Sequence, residues 1–196
     1  MPARKKFDLI IVPTVGCEDG EPTYAGTLRL STSVGMCMTG VASAMAILGG
    51  YRKYGPGEAS AYFSWVQRNP AYDEEIVRLV KNDETCTPRD LWRVLSDIRI
   101  CLENLHLNWR TAKIGVCTYE AHFERIRVTL THLGFKSENI IWIDSNEPES
   151  YSRFMENLLL FVTRIDPTWQ WLGRPLAWQA SKRAWLCDTI RRGMDG

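Results

Sequence analysis

The residues of this chain best suited to chemistry lie in polar stretches between apolar runs. In TYEAHFER (118–125), Thr118 precedes His122, and Arg125 follows three positions later, so that on a helix the imidazole and the guanidinium share a face. A His beside an Arg at a helix start can hold a phosphate or carboxylate, or move a proton near neutral pH. The plainer reading is a His that caps its own loop. In GGYRKYGPGEA (49–59), Gly49, Gly50, Gly55 and Gly57 free the backbone to turn before Glu58 opens a helix. Open N–H groups there attract anions, and Arg52 and Lys53 add charge, although glycines that only make turns explain the same pattern. KNDETCTPRD (81–90) sets Thr85 and Thr87 ahead of Pro88, where Thr87 caps a helix or touches a ligand. Arg29 sits between Leu28 and Leu30 in an apolar helical stretch, so it must either reach the surface or answer a buried anion. Cys17, Cys86 and Cys117 fall near the same loops, and a thiol nucleophile among them would need His122 as its base. Asp8, Asp19, Glu58 and Asp83 offer oxygen ligands for Mg²⁺, but no spacing calls for a metal. Neither GxGxxG nor GxxxxGK[ST] occurs, which disfavours nicotinamide and nucleoside-triphosphate binding of the usual kind.

These loops alternate with elements that would hold them. Short, β-branched runs at 7–12 (FDLIIV), 41–48, 76–80 (IVRLV), 113–117 (KIGVC) and 139–143 (NIIWI) read as strands, the first buried on both faces. Helical stretches fall at 23–38, 58–68, 88–105, 120–133 and 148–165, with Pro88 and Pro148 suited to first turns and Gly134 to a stop. A β-α repeat with crossovers of this length requires parallel strands and gives a parallel sheet with helices on both faces. Ligands of such a sheet bind beyond the carboxyl ends of its strands. The polar stretches named above all leave those ends. Residues 1–165 form this domain. Residues 166–196 carry Trp169, Trp171, Trp178 and Trp185 and read as a helical extension packed on it.

Composition narrows the partners. The chain has 196 residues with 45% hydrophobic content, enough for a sizeable core. Its 24 Lys and Arg against 23 Asp and Glu leave a net charge of +1, which gives no support for wrapping nucleic acid or lying on anionic lipid. No stretch reaches the roughly 20 apolar residues of a membrane span. Asp8 and Pro13 break the apolar run of the N-terminus, which therefore makes a poor signal peptide. Six scattered cysteines without a CxxC pair fit reduced thiols, and a cytoplasmic protein is the expectation.

From Phe7 to about Asp144 the chain resembles the YdcF-like family, a bacterial domain of unknown function that also takes in SanA-like and ElyC-like envelope proteins. FDLIIV followed by Gly16 is similar to the opening D-x-I-I-V-x-G-x-G, and Arg29 falls where a helix-borne Arg belongs. Gly49-Gly50 with Glu58-Ala59 is similar to S-G-G … E-A. Thr85-Cys86-Thr87 is similar to T-N-T, and Thr118, His122 and Arg125 match T-S-x-[YF]-H-x-x-R. The departures are Lys81 where a Glu is usual, Arg89-Asp90 for E-N, Leu48 for Ser, and Val15 with Cys17 in the glycine opening. Together they remove two acidic groups and add two basic ones.

The resemblance implies a Rossmann-like three-layer sandwich with a five-stranded, mainly parallel sheet. It also implies a nucleotide-like or phosphate-bearing ligand, S-adenosylmethionine and lipid-linked phosphate being the usual suggestions. The residues carried over are Gly16, Arg29, Gly49, Gly50, Glu58, Thr87, Thr118, His122 and Arg125. In the leading expectation Arg29, Arg125 and the Gly49-Gly50 backbone hold an anionic small molecule, while Glu58 and His122 orient it or shuttle a proton. Two alternatives stand beside it. One is a non-catalytic binding or scaffold protein with a degenerate site, which Lys81, Arg89 and Asp90 favour. The other is a phosphoester hydrolase using His122. Cofactor, oligomeric state and whether the chain is an enzyme stay open.

Overall fold

The computed structural model describes residues 6–49, 57–69, 72, 78–82, 98–99, 102–148 and 153–167. Strand β1 (Leu9–Pro13) is the centre of the fold, an unbroken apolar run in which every residue is buried. It pairs in parallel with β4 (Ala44–Leu48) through Ile11 opposite Ala46, and with β6 (Ile114–Cys117) through Ile10 opposite Gly115. β6 pairs with β7 (Ile140–Ile143), and the backbone of β5 (Arg78–Asn82) runs along β4, giving the order β5-β4-β1-β6-β7. The α/β class with a parallel sheet is therefore as expected.

Alternation along the strands divides the core. Leu9, Ile11, Ala44, Ala46, Ile114 and Val116 pack with Phe123, Ile126 and Leu130 of helix α3 (Glu120–His132). Ile10, Val12, Met45 and Ile47 pack instead with Leu30 and Val34 of α1 (Tyr24–Met38) and with Ala59, Tyr62 and Val66 of α2 (Glu58–Arg68). A period of two on each strand meets a helical stripe on either cluster, and this settles the register. The start of α1 is capped by Thr23, whose side chain accepts from the Gly26 N–H. At the end of α3, Gly134 N–H bonds the Thr131 carbonyl and Phe135 N–H the Leu130 carbonyl, the pattern of a glycine stop.

Two local features depart from the expected alternation of strands and helices. The stretch after β1 is not a plain loop: β2 (Cys17–Glu18) and β3 (Glu21–Pro22) form an antiparallel hairpin around Asp19 and Gly20, both at positive φ. Asp-Gly is the favoured pair for such a turn. Pro148 lies outside a helix, and α4 runs over Arg153–Ile165. A Pro disfavours helical backbone in the residue before it, and here Glu147 sits in an irregular turn. Of the helix expected at 88–105, residues 98–99 and 102–104 are described and helical, Leu105 is in a turn, and the rest lies outside the described residues. So does the Trp-rich extension beyond residue 167. Helix α4 packs on α3 and buries Glu156, Val162 and Thr163 while exposing Phe154 and Phe161. Among the described residues no helix is long and apolar enough to cross a membrane.

Candidate functional site

The chain leaves β1 toward β4 on one side, while β6 lies on the other. The ends of β1 and β6 therefore flank the point where strand order reverses, the place an open parallel sheet offers to a ligand. Residues 14–16 leave β1 there and residues 118–119 leave β6.

Arg29 fills this place. It is wholly buried on α1, and its guanidinium reaches the sheet edge, where Nη1 donates to the Pro13 carbonyl at 2.6 Å. Its Nε and Nη2 grip the carboxylate of Glu147 from both sides. Glu147 Oε1 also accepts from the Tyr119 N–H at 3.1 Å, and Tyr119 is the residue on which α3 begins. A carboxylate held by a bidentate guanidinium and a backbone N–H at a helix start is a complete anion seat. The anion that Arg29 had to answer is thus a side chain of the same protein.

Tyr119 carries the network onward. Its hydroxyl donates to Glu156 on α4, and Arg125 donates to the same carboxylate from Nη2 at 3.2 Å, with its Nε in ion-pair contact at 2.8 Å but not hydrogen-bonded. Burial and the adjacent Glu156 push the Tyr119 phenol well up, so it keeps its proton and remains a donor. His122 is half-buried beside the ring of Tyr119, and its Nδ1 lies 3.2 Å from Thr118 Oγ1. Burial, then the guanidinium groups of Arg125 and Arg29, drive the imidazole well below its ordinary value, so it is neutral at physiological pH. It can accept or donate a hydrogen bond there, but it carries no charge to an anion. Thr118 is fixed by Trp142, whose Nε1 donates to its carbonyl at 2.6 Å.

On the other flank, Thr14 Oγ1 donates to Glu58 Oε2 at 2.6 Å. The hydroxyl of Tyr62 accepts from Val15 N–H at 3.0 Å and donates to the Gly16 carbonyl at 3.3 Å, holding the loop at Gly16, whose φ is +106°. Gly49 is needed for packing: a Cβ there would lie 2.4 Å from the backbone nitrogen of Ala59. Its role is to let β4 meet the start of α2.

The predicted residues thus divide. Arg29, Thr118, His122 and Arg125 belong to one connected network, with the clamped loop at Gly16 alongside. Glu58 instead bonds Thr14, and among the described residues no contact joins it to His122. Gly50 and Thr87 lie outside the described residues, as do Arg52, Lys53, Cys86, Arg89 and Asp90. Cys117 is no nucleophile, because burial pushes its thiol up to about 11. Asp8 stands at the opposite end of β1 and accepts from Lys113 N–H at 2.9 Å, away from Asp19 in the hairpin turn. Among the described residues no group of three His, Cys, Asp or Glu side chains could hold a metal. Glu147, Tyr119 and Glu156 escaped the sequence reading. The available signal was Arg29 alone: an arginine in an apolar helical stretch calls for a buried carboxylate.

No family model matches the chain, and no curated protein or solved structure is significantly similar to it.

Proposed function

We propose that this chain is a Rossmann-like three-layer domain of the YdcF-like kind, with a five-stranded sheet, that binds an anionic, nucleotide-like or phosphorylated small molecule at the carboxyl edge of β1 and β6. The division of β1 side chains between two helix-backed clusters supports the layering. The observation that carries the ligand reading is the seat itself: a wholly buried guanidinium and a helix-start N–H converge at the strand-order reversal on one carboxylate. In this reading Arg29 and the Tyr119 N–H hold the anionic group. Thr118 and neutral His122 supply hydrogen bonds to the rest of the molecule, and the Gly16 loop forms the facing wall.

A screen of inorganic phosphate, nucleotides, phosphosugars and S-adenosylmethionine tests it, because a ligand that binds the native state alone raises the melting midpoint. The expected result is a rise with a phosphate-bearing compound that shrinks in His122→Ala. The absence of a rise with every anion would reject the reading.

A second reading has its own observation. Arg29 and Arg125 are each matched by a carboxylate, Glu147 and Glu156, so the cluster is neutral without a ligand. This is what a binding or scaffold protein with a degenerate site would show. The hydrolase reading gains nothing from His122, since a depressed pKa removes the acid that would protonate a leaving group near pH 7.

A further inference from the structure

Glu147 is delivered to the seat by a short surface turn. Asp144, Asn146 and Pro148 are exposed, while Ser145 and the Glu147 side chain point inward. The Asn146 backbone has φ 54°, and its N–H bonds the Asp144 carboxylate at 2.8 Å, a turn that Asn tolerates. Ser145 is 1% exposed, and its Oγ has no hydrogen-bond partner among the described residues. The inward position of this turn therefore leaves a buried hydroxyl unsatisfied, which opposes it. The seat is different, since its donors belong to the body of the fold. Arg29 is anchored to the Pro13 carbonyl, and the Tyr119 N–H lies between β6 and α3. Moving Glu147 outward would disturb only a surface turn. It would leave behind a buried guanidinium, a backbone donor and a helix start with no side-chain cap, all facing the same point.

We propose that Glu147 is a tethered occupant of the anion seat, which the phosphate group of a ligand must displace in order to bind. This rests on the reading of the edge as an anion site and adds how that site is regulated. Binding restores the counter-ion: the phosphate oxygens take over the Nε, Nη2 and Tyr119 N–H bonds that the carboxylate gives up. It also sets the affinity. A seat open in about one molecule in ten binds about tenfold more weakly than its intrinsic constant.

The test is a titration of the full chain with inorganic phosphate and, separately, with AMP, followed by melting midpoint and by amide NMR shifts. It compares the native protein with Glu147→Ala and with the double variant Glu147→Ala, Arg29→Met. Without phosphate, Glu147→Ala should melt lower than the native protein, and phosphate should restore it. At least tenfold tighter phosphate binding by Glu147→Ala, lost in the double variant, supports the proposal. A gain with AMP assigns the seat to a phosphate ester, and a gain with inorganic phosphate alone assigns it to the free ion. If Glu147→Ala does not fold, Glu147→Gln removes the charge while keeping the shape, and at least threefold tighter binding is then expected. Equal affinity in native and variant proteins overturns the tethered occupant and leaves the anion site standing. No binding in any of them overturns both. Binding by Glu147→Ala with none by the native chain supports the occupant and rejects the ligand reading of the native protein.

Discussion

The two buried arginines do different work, although both are paired. Arg125 on α3 pairs with Glu156 of α4, and this pair fastens those helices. Removing one member of a buried pair leaves an uncompensated charge. Arg125→Met should therefore cost about 3–5 kcal/mol, and adding Glu156→Leu should recover most of it, as chemical denaturation of both variants will show. His122 makes a separate prediction through its protonation. Its pKa is lowered in the folded state, so the unfolded chain takes up a proton at a higher pH than the native chain does. Its contribution to stability is therefore complete above an unfolded value of about 6.5, and is lost as pH falls from there through the depressed native value. Unfolding free energy measured against pH should decline over that acid range, and His122→Asn should flatten the decline. An unchanged slope in His122→Asn would refute the assignment.

The elements were legible because their periods are strong. Continuous apolar runs located β1, β4, β6 and β7 to within three residues at each end, and residue 23 and Gly134 marked the helix ends they were expected to mark. The hairpin at residues 17–22 was lost because each arm is two residues long, too short for alternation to register against its Asp-Gly turn. Helix α4 was legible as a helix, but its polar logic was not. Its apolar Phe154 and Phe161 face outward, whereas Glu156 is buried by a partner 31 positions earlier in the chain. No local spacing announces such a pairing, and the same holds for Arg29 and Glu147, 118 positions apart.

Of the glycine pair, Gly49 has a steric reason to be glycine. A methyl group at Gly49 would meet the backbone of Ala59, which has no rotamer to change, so Gly49→Ala should destabilise by about 1–3 kcal/mol in a denaturant titration. Tyr62→Phe should cost about 1 kcal/mol and speed hydrogen exchange at Val15, the amide its hydroxyl accepts.

At the scale of the whole molecule, near-zero net charge and a self-neutralised sheet edge belong together. The two buried guanidinium groups of the described residues are each matched by a carboxylate from later in the chain, and Arg29 meets its own at the sheet edge. Selection of a ligand would then depend on exchange at that point and on little long-range attraction, so binding should weaken only modestly with added salt. The measurement that reaches this claim most directly is an amide and arginine side-chain NMR titration of the native chain with AMP at millimolar concentration. The account predicts that Tyr119 N–H, Arg29 Nε, Val15 and Gly16 move together with one saturation curve. Shifts confined to exposed cations such as Arg68 and Arg110, or none at all, would contradict it.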